Sequence, residues 1–243
     1  MSSSTKLSSN PYYVEVGPTR YWSIIGSLLY LNASRLNIAF SIGVCARFQV
    51  AVKESHMIAV KRIIHYVKGT SKYGIWYSRD SNDYLASYLD ADWARCVDEK
   101  KKKKKKTSGG CFYLRNNLVS WMSKKQNSVS LSTAKVEYVA TGSCCAQLLW
   151  MKKLLHDYGI SQYTMCVFCD NTSAIDLSKN LVQHSKSKHI EIRYDFIRDM
   201  VEEKVAWLEF INTKNQKANI FAKPFDGPQF ESLCKTIGYG TIL

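Results

Sequence analysis

Beyond residue 72, short aromatic and β-branched runs alternate with stretches of helical period, and this order leaves few folds open. Tyr73–Ser78 and Tyr84–Trp93 read as strands, with Ser81, Asn82 and Asp83 supplying turn residues between them. Cys111–Ser123 reads as a hairpin, two apolar runs around Arg115, Asn116 and Asn117. A long helix follows from Ser132 to about Leu155, with alanines, leucines and Trp150 at helical spacing. The apolar run Met165–Cys169 ends in Asp170, and Asn171 or Thr172 can cap the next short helix. A helix over about Ser187–Glu203, a strand over Ala206–Ile211 and a helix near Gln216–Ala222, closed by Pro224, complete the pattern. Strands first, then alternation with helices, predict an α/β domain: a mixed sheet with helices against its faces.

Upstream the period is helical throughout. Ile24, Leu28 and Leu31, then Ile38, Ile42 and Val44, then Ile58, Val60, Ile63 and Ile64 mark three amphipathic helices, and Gly69 stops the third. The predicted organisation is a disordered, Ser-rich lead-in over 1–17, a small helical unit over 18–71 and an α/β domain over 72–243. The lysine run 100–106 reads as a solvated, disordered insertion or as a polyanion-binding arm. It supplies half of the formal net charge of +14, and the rest is still basic. That excess suits nucleic acid or an acidic membrane surface, and composition does not choose between them. No run of about 18 apolar residues is present, so a spanning helix is not expected. The 8 cysteines are scattered and follow no secretory signal, which predicts reduced thiols in an intracellular protein. Cys166 and Cys169 form a C-x-x-C, but they lie inside an apolar strand and no second pair stands at ligand spacing, so zinc is not expected.

Three acids stand at the edges of apolar elements. Asp90 ends the strand "LASYL", Asp170 ends "MCVFC", and Glu137 lies on the long helix. Loops converge at strand ends in open sheets, so Asp90 and Asp170 would meet there if their strands were neighbours, and Glu137 could reach them from across the sheet face. Clustered carboxylates repel one another unless cations sit between them, and hard oxygen donors select Mg²⁺ or Mn²⁺. Two such ions about 4 Å apart would clamp a phosphodiester under hydrolysis. A strand-terminal aspartate also caps turns, and Asp170 before Asn-Thr fits that role equally. Position alone leaves both readings open.

Six ordered motifs add a resemblance. They are "LDADWA" from Leu89, "TSGGCFYL" from Thr107, "VSWMSKKQNSVSLSTAKVEYVA" from Val119, "CDNTSAI" from Cys169, "KHIEIRYDFIRD" from Lys188 and "ANIFAKPF" from Ala218. Together they resemble the ribonuclease H domain of copia-type retrotransposons. "YWSIIGSLLYL" from Tyr21 and "AVKRIIHYVKGT" from Ala59 are similar to the helical tail of the reverse transcriptase in the same elements. The resemblance implies a ribonuclease H-like mixed five-stranded sheet. It implies two-metal hydrolysis of the RNA strand of an RNA–DNA hybrid during reverse transcription, with the rest of a reverse transcriptase as a partner. A virus-like particle in the cytoplasm or the nucleus is the implied setting. No membrane and no small-molecule cofactor are implied. The family's catalytic, metal-binding acids fall on Asp90, Glu137 and Asp170; its fourth, an aspartate, falls on Asn219.

The departures bear on chemistry. An amide at Asn219 can ligate but carries no charge, so binding of a second ion should weaken. Lys135 stands where the family carries an acid, two residues before Glu137, and would oppose cation binding unless it points outward. An inactive remnant that still binds nucleic acid is the alternative these changes favour. Lys124, Lys125, Lys186, Lys188 and Arg193 are candidate contacts to the hybrid backbone, since phosphate neutralisation dominates affinity. His184 and His189 carry no assigned role. The Y-x-D-D polymerase signature is absent from the sequence, so reverse transcription by this chain alone is not expected.

Overall fold

A computed structural model describes residues 7, 14, 16–79, 84–98, 103–126, 133–162, 165–179 and 196–242, with the side chains of 93–106 undescribed. The helical unit comprises α1 (Pro18–Leu31), α2 (Ala39–Cys45) and α3 (Glu54–Gly69). Pro18 suits the first turn of α1, where its missing N–H costs nothing, and α3 ends at Gly69 as its sequence requires. Tyr21, Ile25, Leu28, Ile42, Phe48, Val60 and Ile63 form the unit's own core. The lead-in departs from the expected disorder at the residues described there. Leu7 is buried in that core, and the Glu54 amide donates to the Val14 carbonyl at 3.1 Å. Leu7, Val14 and Val16 are apolar residues hidden in a polar, Ser-rich composition.

The second unit is built on β2 (Leu85–Asp98), β3 (Lys103–Leu114), β4 (Asn117–Gln126), β5 (Met165–Cys169) and β6 (Ala206–Phe210), in the spatial order β4-β3-β2-β5-β6. β2, β3 and β4 are antiparallel, and β5 joins β2 and β6 in parallel. This is the mixed five-stranded sheet of the ribonuclease H-like fold. The β3–β4 turn is tighter than the sequence suggested: Asn117 already pairs with Leu114, and Arg115 and Asn116 alone turn the chain, with φ of 54° and 62°. Two consecutive positive φ angles match the right-handed twist of the strands they join. A second correction concerns β1 (Tyr73–Ile75). It pairs with the C-terminal β7 (Tyr239–Thr241) in a separate two-stranded sheet and not with β2. Lys103–Lys106 differ likewise from an unstructured insertion. Their backbone opens β3, with Lys103, Lys104 and Lys105 opposite Asp98, Val97 and Cys96, because the hairpin register set at Thr107–Leu114 resumes beyond a bulge.

Successive strand residues point to opposite faces, so each face carries its own core. Leu85, Leu89, Phe112 and Val167 pack under α4 (Thr133–Asp157), α5 (Thr172–Lys179) and α6 (196–202). Cys111, Tyr113 and Leu118 pack on the other face under α7 (Asn219–Ala222), α8 (Gly227–Thr236) and Leu36 and Ala39 of the helical unit. The two units therefore share a core. Polar contacts tie the seam: Arg35 Nη1 donates to Thr70 O at 2.6 Å and to the Tyr239 hydroxyl at 2.9 Å, and Trp121 Nε1 donates to Asn32 O at 3.2 Å.

Candidate metal centre at the sheet end

The register of β2 and β5 places the first two acids. Tyr88 stands opposite Phe168, so two residues further along these parallel strands Asp90 and Asp170 come side by side, about one strand spacing of 4.8 Å apart. Glu137 arrives from the first turns of α4. Its Oε1 accepts the Ala91 N–H at 3.0 Å, which pins the side chain to the strand next to Asp90. Asp90, Glu137 and Asp170 each offer an oxygen, and these atoms lie within 4.8 Å of one another. It is the one cluster of three or more possible metal ligands among the described residues. Asp92, in phase with Asp90 along β2, does not join it.

α7, which opens with Asn219, packs against the opposite face of the sheet. That approach depends on the glycine pair of "TSGG". Gly109 is the partner of Asp90 across the ladder, and a Cβ there would lie 2.8 Å from the backbone of Ala218, Phe221 and Ala222. Only a residue without a side chain lets α7 sit on β3. Gly110 faces the other way, where a Cβ would meet Met122 Cε at 2.9 Å and Cys144 Sγ at 3.1 Å. Asn219 Nδ2 donates to Thr213 O at 2.8 Å, leaving Oδ1 buried without a donor. Glu137 Oε2 is in the same condition. A buried carboxylate oxygen with no donor, inside a cluster of three acids, suits a hard divalent cation, so the residues present fit such an ion.

The electrostatics agree with the crowding. Burial pushes Asp90 up to about 6 from an ordinary 3.8; the Lys223 ammonium pulls it back, and Asp170 pushes it further up. Glu137 is raised well above the ordinary carboxylate range, first by burial and then by the charges of Asp90 and Asp170. Lys223 went unremarked in the sequence. Its Nζ lies 3.3 Å from Asp90 Oδ2 and donates to Oδ1 at 3.4 Å. A helical spacing of four residues from Asn219 was the signal available. Gln216 is a second omission as a site residue. Fully buried, its Nε2 donates to Phe168 O at 3.3 Å and its Oε1 accepts the Ala218 N–H at 3.3 Å, tying β5 to the approach of α7.

Other sequence candidates fall as follows. Lys135 is exposed, two residues and about 200° around the helix from buried Glu137, so it points outward. Lys124 and Lys125 are exposed on β4, opposite Ser108 and Thr107 of β3, which themselves face Ala91 and Asp92. They therefore lie two strand spacings from the acids, roughly 10 Å. Lys186, Lys188, Arg193, His184 and His189 lie outside the described residues. Cys166 and Cys169 are buried and free, on opposite faces of β5, and share no metal geometry. No helix among the described residues is long and apolar enough to cross a membrane.

No protein-family model matches the chain. It is 36% identical over 218 residues, 89% of its length, to the retrovirus-related Pol polyprotein from transposon TNT 1-94 of Nicotiana tabacum. It is 34% identical over 239 residues, 98% of its length, to that from transposon RE1 of Arabidopsis thaliana. In both cases it spans 16% of the relative. Among solved structures, the foamy viral protease-reverse transcriptase in complex with dsDNA aligns with 80% of this chain and 38% of its own, at a TM-score of 0.54 and 10% identity. LC11-RNase H1, isolated from compost, aligns with 58% of this chain and 94% of its own, at a TM-score of 0.44 and 14% identity. At 10% identity the likeness to the foamy viral structure speaks to fold alone.

Proposed function

The chain belongs to the copia-type retrotransposon Pol family, spanning 16% of each curated relative, and from that membership we propose that it is a metal-dependent ribonuclease H acting on RNA–DNA hybrids. The convergence of Asp90, Glu137 and Asp170 within 4.8 Å carries the reading. Divalent ions, Mg²⁺ or Mn²⁺ and two in number, would be held by these three carboxylates with the Asn219 amide oxygen, and would supply Lewis-acid stabilisation of the phosphodiester charge. The protein's own part is to hold the donors: Ala91 orients Glu137, the β2–β5 register fixes Asp90 beside Asp170, and Gly109 admits Asn219. Lys124 and Lys125, exposed on β4, are the candidates for neutralising hybrid phosphates. Support for a nucleic-acid partner comes from a structural neighbour as well. The foamy viral reverse transcriptase, which shares the fold, is in complex with dsDNA.

A second reading, hybrid binding without cleavage, draws on Asn219, which puts an uncharged amide where the family has an acid. One experiment separates the two. A 5′-labelled RNA–DNA hybrid is incubated with the full chain in Mg²⁺ and in Mn²⁺, beside Asp90→Asn and Asn219→Asp. Cleavage by the parent and not by Asp90→Asn supports the nuclease. Cleavage by Asn219→Asp alone supports an intact fold with one missing charge. An intact RNA strand in every arm removes the enzyme reading.

A further inference from the structure

Lys223 places a positive charge inside the carboxylate cluster before any ion arrives. Its ammonium lies 3.3 Å from Asp90 Oδ2 and 3.4 Å from Oδ1, so both oxygens of that carboxylate already face a cation. The contact is built in by the backbone. Lys223 caps the C-terminus of α7, and its N–H donates to Asn219 O at 3.1 Å. The lysine therefore rides on the same short helix that carries Asn219, on the rigid support made by Gly109. α7 thus delivers an ammonium to three acids, leaving a formal charge of −2 with the ammonium in place and −3 with it withdrawn when all three are ionised.

The two partners are unequal in mobility. The Asp90 side chain is 5% exposed and fixed on a central strand, while that of Lys223 is 25% exposed at the end of a flexible four-carbon stem. Asp90 cannot leave, whereas the ammonium can move outward into water with its stem still against the protein. A buried charge that loses its partner is costly, so the ammonium departs only when another cation replaces it.

We propose that Lys223 is the resident counter-ion of this cluster, and that a divalent cation binds Asp90 by displacing it. Lys223 thereby sets the metal concentration at which the centre fills. This rests on the metal reading above and adds to it a residue that opposes filling. It accounts for a charge that a purely ligating site would have no use for.

The test is Mn²⁺ titration of the full chain, followed by the electron paramagnetic resonance of free Mn²⁺, with circular dichroism to report folding. Lys223→Met should bind Mn²⁺ about tenfold more tightly than the parent. It should also melt lower in EDTA and regain more of its melting temperature in Mn²⁺ than the parent does. Lys223→Arg should bind Mn²⁺ more weakly than the parent, because a guanidinium grips both carboxylate oxygens at once. Equal or weaker binding by a folded Lys223→Met overturns the proposal while the metal reading stands. If Lys223→Met does not fold, Lys223→Arg decides: a raised dissociation constant supports displacement, and an unchanged or lowered one overturns it. Mn²⁺ binding by neither parent nor variant overturns the metal reading itself, and the proposal with it.

Discussion

Replacing Asn219 by aspartate tests the site through stability, independently of turnover. The Asn219 amide donates to Thr213 O at 2.8 Å from a position 5% exposed. An ionised carboxylate there cannot donate, and an unpartnered buried carbonyl costs about 1–3 kcal/mol. A protonated carboxyl keeps the bond, but holding a proton above an ordinary pKa near 3.9 costs about 1.4 kcal/mol per pH unit, or roughly 3 kcal/mol at pH 6. The smaller cost prevails. Below about pH 5 the introduced carboxyl stays neutral and the loss is small. Near neutrality it ionises, beside three acids already crowded together. Asn219→Asp should therefore lose roughly 2–3 kcal/mol at neutral pH in EDTA, read by urea unfolding followed by circular dichroism. Millimolar Mn²⁺ should reverse that loss, since a fourth charge strengthens the ion's hold. Equal stability in EDTA together with an unchanged response to Mn²⁺ would refute the placement of Asn219 at the cluster.

Three further outcomes follow from the same geometry. The raised values of Asp90, about 6 against 3.8, and of Glu137 mean that the folded metal-free protein keeps protons the unfolded chain has released. Their contribution is complete below about pH 4 and is lost as pH rises through 6 and beyond, so urea midpoints in EDTA should fall across that window and Mn²⁺ should stabilise more at pH 8 than at pH 5. Gly109→Ala should cost about 1–3 kcal/mol by forcing α7 off β3, and should weaken Mn²⁺ binding; a variant as stable as the parent would show that α7 can yield. Arg35→Met should cost about 1.5–3 kcal/mol by removing charge-assisted bonds to Thr70 and Tyr239. Limited proteolysis near residue 72 should then accelerate, and an unchanged cleavage rate would count against the seam as a source of stability.

The parts legible in the sequence were those with local signals. Met165–Cys169 is a continuous apolar run ending in an acid, and it became an interior strand that delivers Asp170. Glu137 could be singled out because a carboxylate within an apolar helical stretch has few places to go. The strand β1 was legible, but its partner was not. Tyr73–Ile75 is strand-like by composition, but its partner, Tyr239–Thr241, lies at the far end of the chain, and no local pattern encodes a pairing so distant. The buried Leu7 of the lead-in was lost in the same way, since it acquires meaning from a core assembled by α1–α3. Lys223 was illegible for a different reason. A lysine beside a proline near a helix end reads as solvated charge, and only the close approach permitted by Gly109 turns it toward Asp90.

That dependence changes how the substitution at Asn219 should be weighed. Judged alone, an amide in place of a carboxylate is a loss of ligand charge. Within α7, however, Asn219 and Lys223 share one support, from which the Lys223 ammonium engages Asp90. With an aspartate at 219, the Lys223 ammonium would have two carboxylates to divide itself between, and its hold on Asp90 would loosen. With Asn219 its attraction is directed at Asp90 undivided, so a single change both removes a ligand charge and strengthens the competitor. The two effects are coupled through contact and should not add. A double-mutant cycle of Asn219→Asp with Lys223→Met, read as Mn²⁺ affinity, should therefore show a combined gain smaller than the two single gains together. Strict additivity would mean that the amide and the ammonium act on the cluster separately.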